Sequence, residues 1–157
     1  MVGAFSVGKT ALVDRYVHSH FSGIYLSTVG VKISKKDIDS SQGPVKLVLW
    51  DLEGRDDYGD VNVSYLRGSM GIILVVDGTR EETLFAALNL KEKATALVGE
   101  IPYVLLINKY DINEEWEITP EIVSRLQEKY HNVFLTSAKS GDNVELAFKT
   151  LTEAMIK

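Results

Sequence analysis

The chain has no cysteine among its 157 residues. That excludes a disulfide, a thiolate metal site, prenylation and S-palmitoylation within it, so a reducing, cytoplasmic setting without a lipid anchor is expected. Long apolar runs are also missing. The longest, such as Gly71–Val76, have the length of a strand and fall far short of the roughly 20 residues of a membrane span. Positive charge is scarce: 17 Lys and Arg against 22 Asp and Glu give a net charge of −5. Nothing electrostatic therefore argues for nucleic acid or an anionic membrane. No internal repeat, low-complexity tract or linker is visible. His18, His20 and His131 lack partner ligands at metal spacing and read as solvent-exposed. No signal peptide is expected, since the sequence enters a glycine loop at once. What remains is an ordinary globular composition, 45% hydrophobic and 25% charged, in a length suited to one domain over residues 1–157.

The first motif is the glycine loop itself. Gly3-Ala4-Phe5-Ser6-Val7-Gly8-Lys9-Thr10 fits G-x-x-x-x-G-K-[ST], a phosphate-binding loop. Glycines let the backbone wrap closely around a pyrophosphate. Its N–H groups then point inward, and the following helix presents its positive end. Lys9 supplies a point charge and Thr10 a hydroxyl for Mg²⁺. A plain Gly-rich turn before a helix is the competing reading of the loop alone.

Periodicity supplies the frame. Lys9–Val17 has helical spacing, Val31–Ile38 alternates as a half-exposed edge strand, and Val45–Leu52 completes a hairpin through Ser40-Ser41-Gln42-Gly43. Lys32, Lys35 and Lys36 read as protection of that edge. Ile72–Val76 and Tyr103–Ile107 are wholly apolar strands of a sheet covered on both faces, and Val133–Leu135 is a short third. Thr79-Arg80-Glu81-Glu82 reads as a capping box opening a helix to about Leu97. Thr119-Pro120-Glu121 starts another, and Asp142–Glu145 caps a last one with Val144, Phe148, Leu151 and Met155 inward. Buried strands alternating with helices predict a mostly parallel α/β sheet with ligand at the strands' C-terminal ends.

Three further motifs follow strands. Asp51-Leu52-Glu53-Gly54 can place a carboxylate on a Mg²⁺ water and a glycine N–H on a γ-phosphate. Asn108-Lys109-Tyr110-Asp111 offers a carboxylate that can accept from guanine N1 and its exocyclic amine, a donor pair adenine lacks. Ser137-Ala138-Lys139 offers a backbone N–H to guanine O6. Each taken singly also fits an ordinary loop. Glu114, Glu115 and Glu117 read as a solvated face, with Trp116 either packing back or touching a partner.

The stretches GAFSVGKT, YLSTVGVKI, WDLEG, NKYD and TSAK make the chain resemble the Ras-like small GTPases over its whole length, and the Rab branch most nearly. The resemblance implies a three-layer P-loop G domain: a mostly parallel sheet with one antiparallel edge hairpin, and helices on both faces. It implies a GTP/GDP switch with Mg²⁺. Phe5, Ser6, Val7, Gly8, Lys9, Thr10 and Ala11 would hold phosphates. Thr10, Thr28 and Asp51 would hold the metal, Thr28 only with the γ-phosphate present. Phe21 would stack on the guanine, Tyr25 would cover the phosphates, and Asn108, Lys109, Asp111, Ser137, Ala138 and Lys139 would read the base. Lys9, Thr28, Gly54 and Arg55 would line the reaction. Effector, exchange-factor and activating proteins would meet switch I, about 22–31, and switch II, about 51–66, of a monomer.

The sequence departs from that family where glutamine usually follows the D-x-x-G glycine. Arg55 has no acceptor for the proton of an attacking water. Glu53 replaces a small residue and brings negative charge toward the γ-phosphate. Phe5 is bulky where an arginine finger would enter. Only Met1 and Val2 precede Gly3, where the family has a full strand. The strand is therefore expected to be largely missing and the natural N-terminus to lie about five to ten residues upstream, since a strand advances about 3.3 Å per residue. The expected activity is slow GTP hydrolysis. A non-hydrolysing GTP-bound scaffold and a nucleotide-free interaction module are the alternatives.

Overall fold

All six residues of Ile72–Asp77 are buried, as are all of Tyr103–Asn108 after the first. Strands of this kind must be covered on both faces, which only helices on either side of a parallel sheet provide. The structure, a computed structural model, describes residues 1–24, 26–54 and 63–157. Its elements in chain order are α1 (Lys9–His18), β1 (Val31–Ser40), β2 (Gly43–Leu52), β3 (Ile72–Asp77), α2 (Glu82–Val98), β4 (Tyr103–Asn108), α3 (Pro120–Lys129), β5 (Val133–Leu135) and α4 (Val144–Met155), with short 3₁₀ turns at Val63–Leu66 and Tyr110–Glu115. β3, β4 and β5 run parallel in that order, and β1 and β2 form an antiparallel hairpin from Val31↔Leu52 to Ser40↔Gly43. This is the α/β architecture expected.

Alternation along the strands divides the core into two layers. Ile73, Val75, Val104 and Leu106 face α1 and α4, packing on Leu12, Tyr16, Phe148 and Leu151. Ile72, Leu74, Val76, Leu105 and Ile107 face α2 and α3, packing on Leu84, Leu90, Val123 and Leu126. Each fully buried Leu, Ile or Phe removes enough apolar area to contribute about 1.5–3 kcal/mol.

Ahead of the glycine loop a single bridge at Val2 stands where a full strand would lie. Met1 and Val2 occupy the loop end of that slot. Leu52 N donates to Met1 O (3.3 Å), Val2 N to Ile73 O (2.9 Å) and Val75 N to Val2 O (2.9 Å). Val2, wholly buried, pairs in parallel with Leu74, so these two residues join hairpin and parallel sheet.

Three local expectations need correction. Thr79 does not cap a helix: its N–H and hydroxyl both donate to Asp77 Oδ1, at 2.9 and 2.7 Å, and α2 starts only at Glu82. A buried carboxylate two residues back outcompetes the helix for that hydroxyl. Asp142 does not cap α4, whose N-cap is Asn143 in a left-handed conformation (φ 55°). Asn143 Nδ2 donates instead to Leu135 O at 2.8 Å. Lys36 is no mere edge charge: its ammonium lies 3.7 Å from the Tyr16 ring centroid, donates to Tyr16 O and pairs with Glu145. The start of α3 is as expected, with Thr119 accepting from Ile122 N.

Trp116 packs inward. Its ring lies against Gly78, where an added Cβ would stand 2.0 Å away, and its Nε1 donates to Lys109 O at 3.0 Å. Gly78→Ala is therefore expected to cost roughly 1–3 kcal/mol, as overpacking does. Urea unfolding measures it. The same change in a Trp116→Leu background should cost clearly less, and an equal cost would show that the indole is not the obstacle.

Candidate functional site

The loop between β3's neighbour Val2 and α1 owes its shape to where its carbonyls go. Gly3 O and Ala4 O accept from Lys9 Nζ at 3.0 and 2.8 Å. Phe5 O accepts from Arg80 Nη2 at 2.6 Å, Val7 O from Asn108 Nδ2 at 3.0 Å, and Gly8 O from Leu12 N at 2.9 Å. A trans peptide points its N–H opposite to its C=O. Holding these carbonyls on protein donors leaves the N–H of each following residue on the opposite side of its peptide. Gly8 permits this packing: at φ 100°, a Cβ there would fall 2.3 Å from Asn108 Nδ2. Val7 itself is core.

A cavity of about 630 Å³ lies beside the loop. Phe5, Ser6, Gly8, Lys9, Thr10 and Ala11 line its floor. Phe21, Thr28 and Gly54 form its walls, with Lys109 at one end. Phe21 is 37% exposed, an aromatic available to a ligand. Asp111, Ser137, Ala138 and Lys139 do not line this cavity. Tyr25 and Arg55, with the neighbouring Asp56 and Asp57, lie outside the described residues.

Three side-chain oxygens converge beneath the loop. Thr10 donates to Asp51 Oδ2 at 2.5 Å, and the Thr10 and Thr28 hydroxyls share a hydrogen bond of 2.7 Å. With Thr10's proton on Asp51, Thr28 is the donor of the second bond. Asp51 is fully buried, and its Oδ1 has no hydrogen-bond partner among the described residues. Burial pushes its carboxyl up from the ordinary range, against the Thr10 hydroxyl and the Lys9 ammonium. A buried orphan carboxylate oxygen beside two hydroxyls fits a hard, oxygen-seeking cation such as Mg²⁺. Burial likewise lowers Lys9 from 10.5 to about 8, opposed by Asp51 and reinforced by Arg80. An incoming phosphate would reverse that shift.

The loops after β4 and β5 are joined to each other and to the glycine loop. Asn108 Oδ1 accepts from Thr136 Oγ1 and Ala138 N, both at 3.3 Å, while its Nδ2 holds Val7. Asn108 is thus occupied in tying three segments together. Ser137 donates to Asp111 Oδ1 at 2.6 Å, which orients that carboxylate, itself exposed. Glu53 N donates to Gly30 O at 2.8 Å and Gly30 N to Glu53 Oε2 at 3.1 Å, so this acid grips the backbone at residue 30.

Several contributors escaped the sequence reading. Arg15, one turn and a half into α1, donates to Ala138 O at 2.7 Å and to Lys139 O. Asp77, only 1% exposed, accepts from Lys109 Nζ at 2.6 Å and Arg80 Nε at 3.1 Å besides Thr79. The available signal was a single carboxylate closing an otherwise apolar strand.

The Ras family profile matches residues 1–157. Ras-related protein Rab-13 of Rattus norvegicus is 34% identical over 161 residues, covering 99% of this chain and 78% of the relative. Ras-related protein Rab-8B of Homo sapiens is 34% identical over 156 residues, with 96% and 74% covered. Ras-related protein Rab-32 of Homo sapiens is 34% identical over 164 residues, with 99% and 73% covered.

Asp77 generates a prediction about pH. Burial raises its pKa, but the Lys109 ammonium and the Thr79 donors outweigh that and hold it below the ordinary value. A depressed carboxylate contributes stability that is complete above its unfolded pKa of about 3.9 and is lost as pH falls through the lower folded value. Thermal unfolding should thus show a steeper loss below pH 4 in wild type than in Asp77→Asn. Parallel acid profiles would refute the pairing.

Proposed function

The chain belongs to the Ras family, in its Rab-like branch, and from that membership we propose a Mg²⁺-dependent guanine-nucleotide switch whose hydrolysis is slow. Family members are small GTPases acting in trafficking or signalling. The observation that carries the reading here is a glycine loop whose Gly3, Ala4, Phe5 and Val7 carbonyls are each taken by a protein donor, beside a cavity lined by Ser6, Gly8, Lys9 and Thr10. The N–H groups of such a loop, with the Lys9 ammonium, suit a polyanion.

In this reading the loop amides and Lys9 bind the phosphates. Thr10, Thr28 and Asp51 would hold Mg²⁺, which would supply positive charge against the phosphates. The Thr28 hydroxyl is its one side-chain tie to Thr10 among the described residues, and its segment would be ordered by the γ-phosphate and released on its loss. Water attacks the γ-phosphorus, the bond to the β–γ bridging oxygen breaks, and GDP and phosphate leave. The chain contributes position and charge, with the Gly54 N–H toward the γ-phosphate. Arg55 offers no acceptor to orient the water. Asp111 reads the base, with Phe21 stacked on it, Lys109 alongside and Ser137 holding Asp111 in place, while the Ala138 N–H would reach guanine O6 only by sharing or leaving its bond to Asn108 Oδ1.

Two measurements bear on this. Asp111→Asn exchanges an acceptor pair for one acceptor and one donor, so GTP affinity should fall by about 1–3 kcal/mol. Xanthine nucleotide, with a 2-oxo group to accept from the new amide, should gain. Equal affinity of wild type for ATP and GTP would sink the base assignment. Single-turnover hydrolysis should be slow in wild type and faster in Arg55→Gln, whereas an unchanged rate would mean that another group places the water.

A further inference from the structure

Ser6 stands at φ 61°, a left-handed conformation that is strained for a non-glycine residue and persists only where its surroundings fix it. The carbonyl of the peptide leading into Ser6 is held by a side chain from outside the loop. Arg80 donates Nη2 to Phe5 O at 2.6 Å while its Nε donates to Asp77 Oδ2 at 3.1 Å. Guanidinium is planar with its donors in a rigid fork, so two bonds to different partners set its direction. Asp77, the anchor, is itself immobilised: Oδ1 takes both Thr79 donors and Oδ2 takes Lys109 as well. The chain of contacts runs Lys109–Asp77–Arg80–Phe5, and its two ends line the cavity while Asp77 lies buried between them.

We propose that Arg80 is a positioning residue for the phosphates of the bound nucleotide: it holds the Phe5 carbonyl away from the cavity and so aims the Ser6 N–H into it. This rests on the nucleotide-switch reading above and extends it to a residue outside the loop motif. No other group of the described residues takes the Ser6 N–H. With Arg80 removed, the Phe5–Ser6 peptide loses a charge-assisted tie that opposes relaxation of the strained Ser6 torsion. A rotation of that peptide would present a carbonyl to an anion in place of a donor.

The test compares wild type, Arg80→Gln and Arg80→Lys, each loaded with fluorescent GDP and Mg²⁺. Arg80→Gln should release GDP roughly tenfold to a hundredfold faster, the range for losing one charge-assisted hydrogen bond. Arg80→Lys keeps the charge, but a single ammonium cannot bridge Asp77 and Phe5 in the guanidinium's way, so it should fall between. If Arg80→Gln does not fold, the lysine variant carries the comparison. The distinguishing readout is the ¹H–¹⁵N shift of the Ser6 amide in the loaded protein. It should lie downfield in wild type and move upfield in both variants as its bond to phosphate weakens. Faster release with an unmoved Ser6 shift would reduce Arg80 to a structural brace and overturn the proposal. So would wild-type release rates in both variants, with the switch reading left standing. A wild type that retains no GDP would overturn the switch reading itself and the role of Arg80 with it.

Discussion

Peptide orientation between Gly3 and Gly8 is the constraint on which the rest of the site depends. A backbone loop has as many acceptors as donors, and it binds an anion only if its carbonyls are held elsewhere. Here they are held from three directions: by Lys9 of α1, by Arg80 from the turn after β3, and by Asn108 at the end of β4. Those anchors stand at the C-terminal ends of adjacent parallel strands, the place where an open α/β sheet presents its ligand. Asn108 then passes the constraint on to Thr136 and Ala138, and Arg15 closes the circuit from α1 to the same loop. The glycine loop and the loops after β4 and β5 therefore form one hydrogen-bonded body. Loss of any of its members leaves a buried donor or acceptor unmet, at about 1–3 kcal/mol each.

The segment between α1 and β1 is built on the opposite principle. Ile24, Leu26 and Val29 are 73%, 76% and 85% exposed, so hydrophobic burial does little to fix this stretch. Two polar ties stand out: the Thr28 hydroxyl on Thr10, and Gly30 on Glu53. A segment with few buried contacts and a few polar ties lies at the low-stability end of a fold, from which moving parts are drawn. Glu53 extends the β1–β2 ladder by one step beyond Val31↔Leu52, using its carboxylate as well as its backbone. Its charge is thereby engaged by the backbone N–H of Gly30, a use that its position in the sequence next to Gly54 does not suggest.

Most of the frame was legible in the sequence because it follows local rules. Apolar runs such as Ile72–Val76 can only be doubly covered strands, and Thr119-Pro120 can only open a helix. The glycine loop and the grouping of Asp51 with Thr10 were legible because their spacing has a chemical cause. What was not legible depends on partners distant in sequence. Thr79 reads as a cap until the buried Asp77 carboxylate takes its hydroxyl. Lys36 reads as an edge charge until the fold brings the Tyr16 ring and Glu145 beside it. Asn108 reads as a contact to the base, yet its amide is engaged 101 residues away at Val7. Arg80 carries no motif at all, and only the fold sets it against Phe5 O, 75 residues distant. Local pattern fixes which element a residue joins, and tertiary contact decides which of its hydrogen bonds are already taken.

The central claim is that this glycine loop, with the base loops locked to it, holds a guanine nucleotide. The most direct measurement is to denature the purified chain and separate by chromatography whatever small molecules it releases. The account predicts close to one equivalent of GDP or GTP per chain. Release of adenine nucleotide, or of no nucleotide from protein that folds and unfolds cooperatively, would contradict it.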